Sequence, residues 1–323
     1  MFQIYAKQKY LNGDAAMINQ AAQIFRTGWT LLRIIAVISS SIATILSSLL
    51  PLFINSTFST EYLVFMLTFL SVGALIIHGL LTHLFNDYTD FKTGTDAHSP
   101  AILSGGSRVI QKGLISQKTI LKLGIWLTGS LLLIAGIMML INRYELTILI
   151  LIGVWAAVSY SLPPLLLSYR PFLGEWFSLF PSIFFIGLAG PWLIFSTIPV
   201  WAFQNALINA LVCMAWVMVH HIPDIDADRM ATPIKQTTVV WFVSKFGLNF
   251  ARIPALLYIT MAGLLTIGLF PERFLAGLIS IGILLIAFIL VMKMDVSNDQ
   301  HVSNCEKILL LLAIMIAIVL GVF

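Results

Sequence analysis

The chain has 323 residues, 59% of them hydrophobic and 10% charged, with a formal net charge of +4. A soluble core cannot hide that much apolar surface, so the composition points to a polytopic membrane protein. No basic patch interleaves with aromatics on a soluble module, which argues against a nucleic-acid partner. The two cysteines, Cys213 and Cys305, sit singly, so neither a disulfide framework nor a thiolate metal site follows.

Residues 1–29 read as a polar cytoplasmic segment, with Lys7, Lys9 and Asp14 and without the apolar core of a signal peptide. Residues 30–323 read as a single transmembrane domain. Apolar runs predict nine helices in it, at 30–54, 62–85, 119–141, 146–167, 172–195, 200–221, 250–270, 273–293 and 307–323. The fourth and fifth are crowded with Pro163, Pro164, Pro181, Gly187, Gly190 and Pro191. Such residues are tolerated in lipid where neighbours re-satisfy the backbone, often beside a cavity.

Charge asymmetry sets the expected orientation. With the N-terminus inside, all of the 18 Lys and Arg except Arg143 and Arg273 fall on or near the inner side. The positive-inside rule then places the connections 86–118, 168–171, 222–249 and 294–306 in the cytoplasm and the C-terminus outside, in a multi-pass protein of the cell membrane.

Two inner loops, 86–118 and 222–249, are long, and loops of that length are usually functional or disordered. They carry Asn86-Asp87-x-x-Asp90 with Asp96, and Asp224-x-Asp226-x-Asp228, six of the 14 Asp and Glu. The clusters follow the second and the sixth helix. The chain therefore reads as two parallel four-helix halves plus one helix. If the halves pack around a central cavity, the clusters meet at its cytoplasmic mouth.

Carboxylates with a nearby amide are hard ligands suited to Mg²⁺, which binds through one or two carboxylates plus phosphate oxygens. Arg108, Lys112, Arg170, Arg229 and Lys235 lie near the clusters and can neutralise a phosphate leaving group. A charged rim above an apolar cavity describes a site for a lipid diphosphate. His220 and His221 read as interfacial, and His78 and His83 as buried polar contacts. A secondary transporter is the alternative from a different class. It predicts acids near the midplane and inverted repeats, whereas the helix interiors lack such acids and the halves read as parallel.

These residues resemble the UbiA-type intramembrane prenyltransferases, over roughly residues 26–323. Asn86-Asp87-x-x-Asp90 is similar to the family's first Asp-rich motif. The form with Gly94 and Asp96, followed by Arg108-Val109-Ile110-Gln111-Lys112-Gly113, is similar to the menaquinone-pathway branch, whose members prenylate 1,4-dihydroxy-2-naphthoate. Asp224-x-x-x-Asp228 with Lys235-x-Thr237 resembles the second Asp-rich loop. Tyr160-Ser161-x-Pro163 and Tyr169-Arg170-Pro171-x-Leu173-Gly174-Glu175 resemble a third stretch of that branch. Two departures stand out. His220-His221-Ile222-Pro223-Asp224 replaces the branch's Asn-Asn-x-Arg-Asp, and Arg26, Trp29 and Arg33 occupy the region where an Arg-Pro pair is often found.

The resemblance implies an all-α protein with nine transmembrane helices around a central cavity. It implies transfer of a polyprenyl group from a polyprenyl diphosphate to an aromatic acceptor in the membrane lipid, with Mg²⁺ as cofactor. Asn86, Asp90 and Asp96 are the implied ligands of one ion, supported by Asp87, and Asp224 and Asp228 those of another. Arg108, Lys112, Arg170 and Lys235 are the implied diphosphate-binding residues, and Tyr160 a cation-facing catalytic group. Transfer to another quinone precursor, a carotenoid or a lipid, and cyclisation of the prenyl chain, share the same metal chemistry.

Overall fold

A computed structural model describes residues 34–100 and 106–323. Among them nine helices are long and apolar enough to cross a membrane. They are α1 (Ile35–Asn55), α2 (Thr60–Thr93), α3 (Gln117–Leu140), α4 (Tyr144–Ser161), α5 (Glu175–Phe195), α6 (Val200–His220), α7 (Leu248–Ile267), α8 (Phe274–Met292) and α9 (Asp299–Val322). No strand occurs among the described residues. Each predicted span has its counterpart, as expected where the backbone must satisfy its own hydrogen bonds in lipid. The segment 1–29 and Arg33 lie outside the described residues.

The helix ends depart from the hydropathy reading. α2 continues about two turns beyond Phe85, through Asn86, Asp87 and Asp90, and stops where Gly94 takes a left-handed φ of 83°. Such a residue closes a helix without the steric cost that a Cβ would bring. Hydropathy loses a helix where it leaves lipid, but helical hydrogen bonding does not require apolar side chains. The first acidic motif therefore sits on a rigid helix rather than in the loop 86–118. Likewise α9 begins at Asp299, where the Asn298 side chain accepts from the His301 amide, rather than at 307. α4 ends at Ser161, just before Pro163 and Pro164, which disfavour helix in the residues ahead of them.

α6 is the centre of the packing. Buried residues make up 83% of its apolar window, against 17% for α3. It packs on α1, α5, α7 and α9, while α3 pairs with α4 and α7 with α8. At Gly187 a Cβ would lie 2.8 Å from Thr44 Cγ2 and 2.9 Å from the Ala206 Cβ. The close approach of α5 to α1 and α6 thus needs a residue without a side chain, as is common between membrane helices. Trp126, Leu133 and Leu140 on α3 are exposed, an apolar surface suited to lipid.

Arg273, one of the two basic residues on the charge-poor side, has a packing role that accounts for its place. Its Nη1 donates to Asn205 Oδ1 at 2.8 Å, and its Nη2 donates to the Leu320 carbonyl. Asn205 Nδ2 in turn donates to the carbonyls of Ser47 at 3.1 Å and Leu320 at 2.8 Å. One guanidinium and one amide so tie α1, α6 and α9 at the end remote from the acidic segments.

Three spans carry π-helical turns, at Ile38–Ile42 in α1, Leu75–Thr82 in α2 and Glu175–Leu179 in α5. The wider turn re-aims the side chains that follow it, and such turns are frequent at functional sites. The first two are joined by a 2.7 Å hydrogen bond between Ser41 Oγ and His78 Nδ1.

Candidate functional site

A cavity of about 160 Å³ lies between α1, α2, α4, α5 and α6. On α2 its lining residues include His78, Thr82, Asn86 and Asp90, a four-residue spacing that keeps one helix face toward the space. Tyr160 lines it from α4, and His220, His221, Asp224 and Lys235 line it from the end of α6 and beyond. The charged groups gather at these helix ends. Ile77, Gly153, Ala156, Ile183, Cys213 and Val217, farther along the same helices, make the deeper wall mostly apolar.

Lys235 joins the two acidic segments. Its Nζ lies 3.0 and 3.1 Å from the two oxygens of Asp90 and 3.8 Å from Asp228 Oδ1. It also stands 5.7 Å from the centre of the Tyr169 ring, a cation–π distance. The backbone reinforces the junction. The Thr232 amide donates to the Thr93 carbonyl at 3.0 Å, and the Lys235 amide to the Asp228 carbonyl at 2.9 Å. The third motif docks on the same helix end, where Thr89 Oγ1 donates to the Ser161 carbonyl at 2.8 Å and Tyr169 OH lies 2.8 Å from Thr93 Oγ1.

The electrostatics follow from acids drawn out of water together. Burial, then repulsion from Asp90 and Asp87, lifts the Asp96 carboxyl to about 7. Burial raises Asp224 as well, and it raises Asp228 well above the ordinary carboxylate value. Burial alone would lower the Lys235 pKa, but Asp90 and then Asp228 more than offset this and raise it well above the usual lysine value. It stays an ammonium.

The match to known proteins covers most of the chain. Residues 41–316 match the UbiA prenyltransferase family. The chain belongs to that family. It is also 32% identical over 139 residues to the 1,4-dihydroxy-2-naphthoate octaprenyltransferase of Bacillus subtilis (strain 168), a stretch of 42% of this chain and 43% of that protein. The alignment thus spans less than half the length of the relative. No solved structure matches the chain. Family membership and the nine apolar helices make it a multi-pass membrane protein.

The donor set of this UbiA-family chain suits a hard divalent cation. Asp228 is fully buried, yet neither of its carboxylate oxygens has a hydrogen-bond partner. A buried carboxylate so placed is costly, and the Lys235 ammonium 3.8 Å from Oδ1 offsets this without a hydrogen bond, which leaves both oxygens open to a further cation. Among the described residues no three or more His, Cys, Asp or Glu converge as a ready-made cage. Mg²⁺ usually takes one or two carboxylates and shares its remaining positions among phosphate oxygens and water.

The predicted residues separate into groups. Asn86, Asp90, Asp224, Lys235 and Tyr160 line the cavity, whereas Asp87, Asp96 and Asp228 are buried and are not among its lining residues. Asn86 Nδ2 donates to Asp90 Oδ2 at 2.9 Å, which sets that carboxylate on the helix face. Asp87 accepts from Ser107 Oγ, and Asp96 accepts from Gln111 Nε2 at 2.9 Å. Arg108 is half-buried, with φ at 56° and a guanidinium donating to the Ser99 carbonyl. Lys112 and Arg170 are exposed and do not line the cavity. Arg170 Nη2 donates to the Pro164 carbonyl at 3.4 Å.

Sequence reasoning passed over Gln111 and Ser107 as partners of the acids and left Glu306 in a connection. Glu306 is instead fully buried on α9, and its Oε1 lies 2.7 Å from His220 Nδ1. An acid inside a predicted apolar span would have marked it, but the predicted helix began one residue too late to include it.

Gly106 supports Asp96. A Cβ there would lie 2.7 Å from Asp96 Oδ1, and its φ of 65° is already left-handed. Gly106→Ala is expected to displace that carboxylate, and an Mg²⁺ ion held near Asp96 would then bind about tenfold more weakly, as on loss of an outer support at metal sites. The thermal midpoint of the purified protein, followed against Mg²⁺ concentration, reads this directly. An unshifted titration would remove Asp96 from the ion's environment.

Proposed function

We propose that this protein transfers a polyprenyl group from a polyprenyl diphosphate to an aromatic acceptor, namely 1,4-dihydroxy-2-naphthoate, as in menaquinone biosynthesis. The observation that carries the reading is the convergence of both acidic segments on the Lys235 ammonium at the charged end of a cavity whose deeper wall is mostly apolar. An allylic diphosphate has the same two-part character. The naphthoate acceptor is supported by the Asn86-to-Asp96 motif and by what the Bacillus subtilis relative is named for.

Mg²⁺, when bound, supplies Lewis-acid polarisation of the diphosphate, an effect worth several kcal/mol. Asn86, Asp90 and Asp96 would hold one ion and Asp224 and Asp228 a second. Asp87 steadies the first group by fixing Ser107. Lys235 and Arg108 hold the diphosphate as charge develops on it. Lys112 and Arg170, exposed and outside the cavity lining, are the remaining candidates for that role. The apolar wall keeps water from the allylic carbon, and the Tyr160 ring offers an aromatic face to positive charge there. The charge asymmetry supports placing this end at the cytoplasmic face of a cell membrane.

Membranes containing the protein, given Mg²⁺, polyprenyl diphosphates of several lengths and a panel of acceptors, are expected to yield prenylated naphthalenediol. Chelation is expected to abolish the product. Product formed only with a non-aromatic acceptor would overturn the acceptor assignment, and product indifferent to chelator would overturn the metal assignment.

A further inference from the structure

The short helix Thr238–Phe246, between α6 and α7, does not line the cavity. Its nine residues make about 14 Å, less than half of a bilayer core of about 30 Å, so it does not span one. Gly247 ends it at a left-handed φ of 95°, and α7 starts at the next residue. Thr238, Val239, Val240 and Val243 are buried against the protein. Beside them the rings of Phe172, Phe242, Phe246 and Phe250 form a row, with consecutive centres 6.3, 5.9 and 5.5 Å apart. Phe172, Phe246 and Phe250 are exposed. Exposed rings at the end of a spanning helix suit the boundary between lipid and water.

An aromatic belt alone needs no charge, yet this one carries it. From Arg229 through Arg252 the chain has four basic residues and no acid. Lys245 is exposed and makes no ion pair among the described residues. The half-exposed Arg252 donates to the Met292 carbonyl at the end of α8, next to the exposed Lys293. Asp295, within electrostatic reach of Arg252, accepts from Ser297. A basic helix with an aromatic face is the pattern of a segment lying on an anionic lipid surface.

Two residues join this helix to the site. Thr237 Oγ1 caps it by accepting from the Val240 amide at 3.2 Å, and the Thr237 amide donates to the Lys235 carbonyl at 3.0 Å. The Phe172 amide, at the head of the row of rings, donates to Thr238 Oγ1 at 2.7 Å. The seat of the helix therefore sets where the backbone of Lys235 lies.

We propose that the helix is an anchor for anionic phospholipid. Lys245, Arg252 and Lys293 hold the headgroups, the row of rings lies among the upper acyl chains, and the seated helix keeps Lys235 between Asp90 and Asp228. The lipid contact stands by itself, whereas its effect on turnover rests on the prenyl-transfer reading above.

The test places a fluorophore on Leu248→Cys, an exposed position beside the row. Cys213 and Cys305 are both buried, so the label reports on position 248. The full-length protein is reconstituted in vesicles of phosphatidylcholine and phosphatidylglycerol in equal parts, with bromine on one lipid or the other. Brominated phosphatidylglycerol is expected to quench about fivefold more efficiently, the scale of one basic residue at an anionic surface. Lys245→Gln combined with Lys293→Gln is expected to bring the ratio to about one. Equal quenching in the unsubstituted background would overturn the anionic preference, and quenching by neither lipid would overturn the anchor. A preference that survives the double substitution would overturn the role of the two lysines. Turnover is read in the same vesicles without the label. There the double variant is expected to raise KM for the polyprenyl diphosphate about fivefold, and in phosphatidylcholine alone it is expected to match wild type, since no anionic headgroup is left to lose. An active wild type with the same KM as the variant in both vesicles overturns the link to Lys235. A wild type that prenylates no acceptor overturns the parent reading, while the quenching ratio still decides the lipid contact.

Discussion

Asparagine in place of Asp228 is expected to lower prenyl transfer about 10³-fold, or about 4 kcal/mol of transition-state stabilisation, and to raise the Mg²⁺ concentration needed for half-maximal rate. The substitution keeps the side chain's size and removes its charge. It leaves the Asp90–Lys235 pair at 3.0 Å in place, so the junction between the acidic segments persists. What disappears is a fully buried carboxylate with neither oxygen hydrogen-bonded, the feature of the site that most needs a cation. Asp226, two residues away, provides the comparison. Its side chain is 88% exposed and 3.7 Å from Arg229 on the same short helix, a pair worth little in water. Asp226→Asn is therefore expected to keep wild-type rate and Mg²⁺ dependence. Initial rates against Mg²⁺ for the two variants settle the matter. If they titrate alike, Asp228 is not a metal ligand.

The contrast between Asp226 and Asp228 shows where sequence stops being informative. Both acids lie in one short segment, and spacing alone treats them alike. The spans themselves were legible, because lipid imposes a length and an apolarity that few other constraints mimic. The pairing of Asn86 with Asp90 was also within reach, since residues four apart share a helix face. The helix that carries them was not recognised, because hydropathy reports the edge of lipid rather than the end of hydrogen bonding. Of the four basic residues chosen as phosphate ligands, Lys235 comes to lie between the acids, whereas Lys112 and Arg170 remain in solvent. Nothing local distinguishes them. The distinction depends on a contact between residues 145 positions apart. Glu306 escaped for a related reason, since its partner His220 is 86 positions away and Glu306 itself stands in no motif.

Lys235→Met is expected to make folding depend on Mg²⁺ more strongly than it does in the wild type. The ammonium bridges Asp90 and Asp228, all three residues buried. Methionine keeps the apolar stem and deletes the charge, leaving carboxylates without the cation that compensated them. Removing one partner of a buried ion pair costs about 3–5 kcal/mol, because the remaining charge is stranded rather than because the pair was strongly net favourable. In chelator the thermal midpoint of the variant is therefore expected to fall well below that of wild type. Added Mg²⁺ supplies positive charge to the same acids and binds only the folded form, so it is expected to recover much of the difference by mass action. Activity is not expected to recover with it. Under the proposed mechanism Lys235 also holds the departing diphosphate, and losing one such preorganised donor costs about 10²–10³-fold in kcat. Stability restored by Mg²⁺ with activity still lost would separate the two roles of the lysine. Full recovery of both would mean that Lys235 only keeps the place of a cation. A midpoint unchanged in chelator would mean that the acids do not depend on its charge.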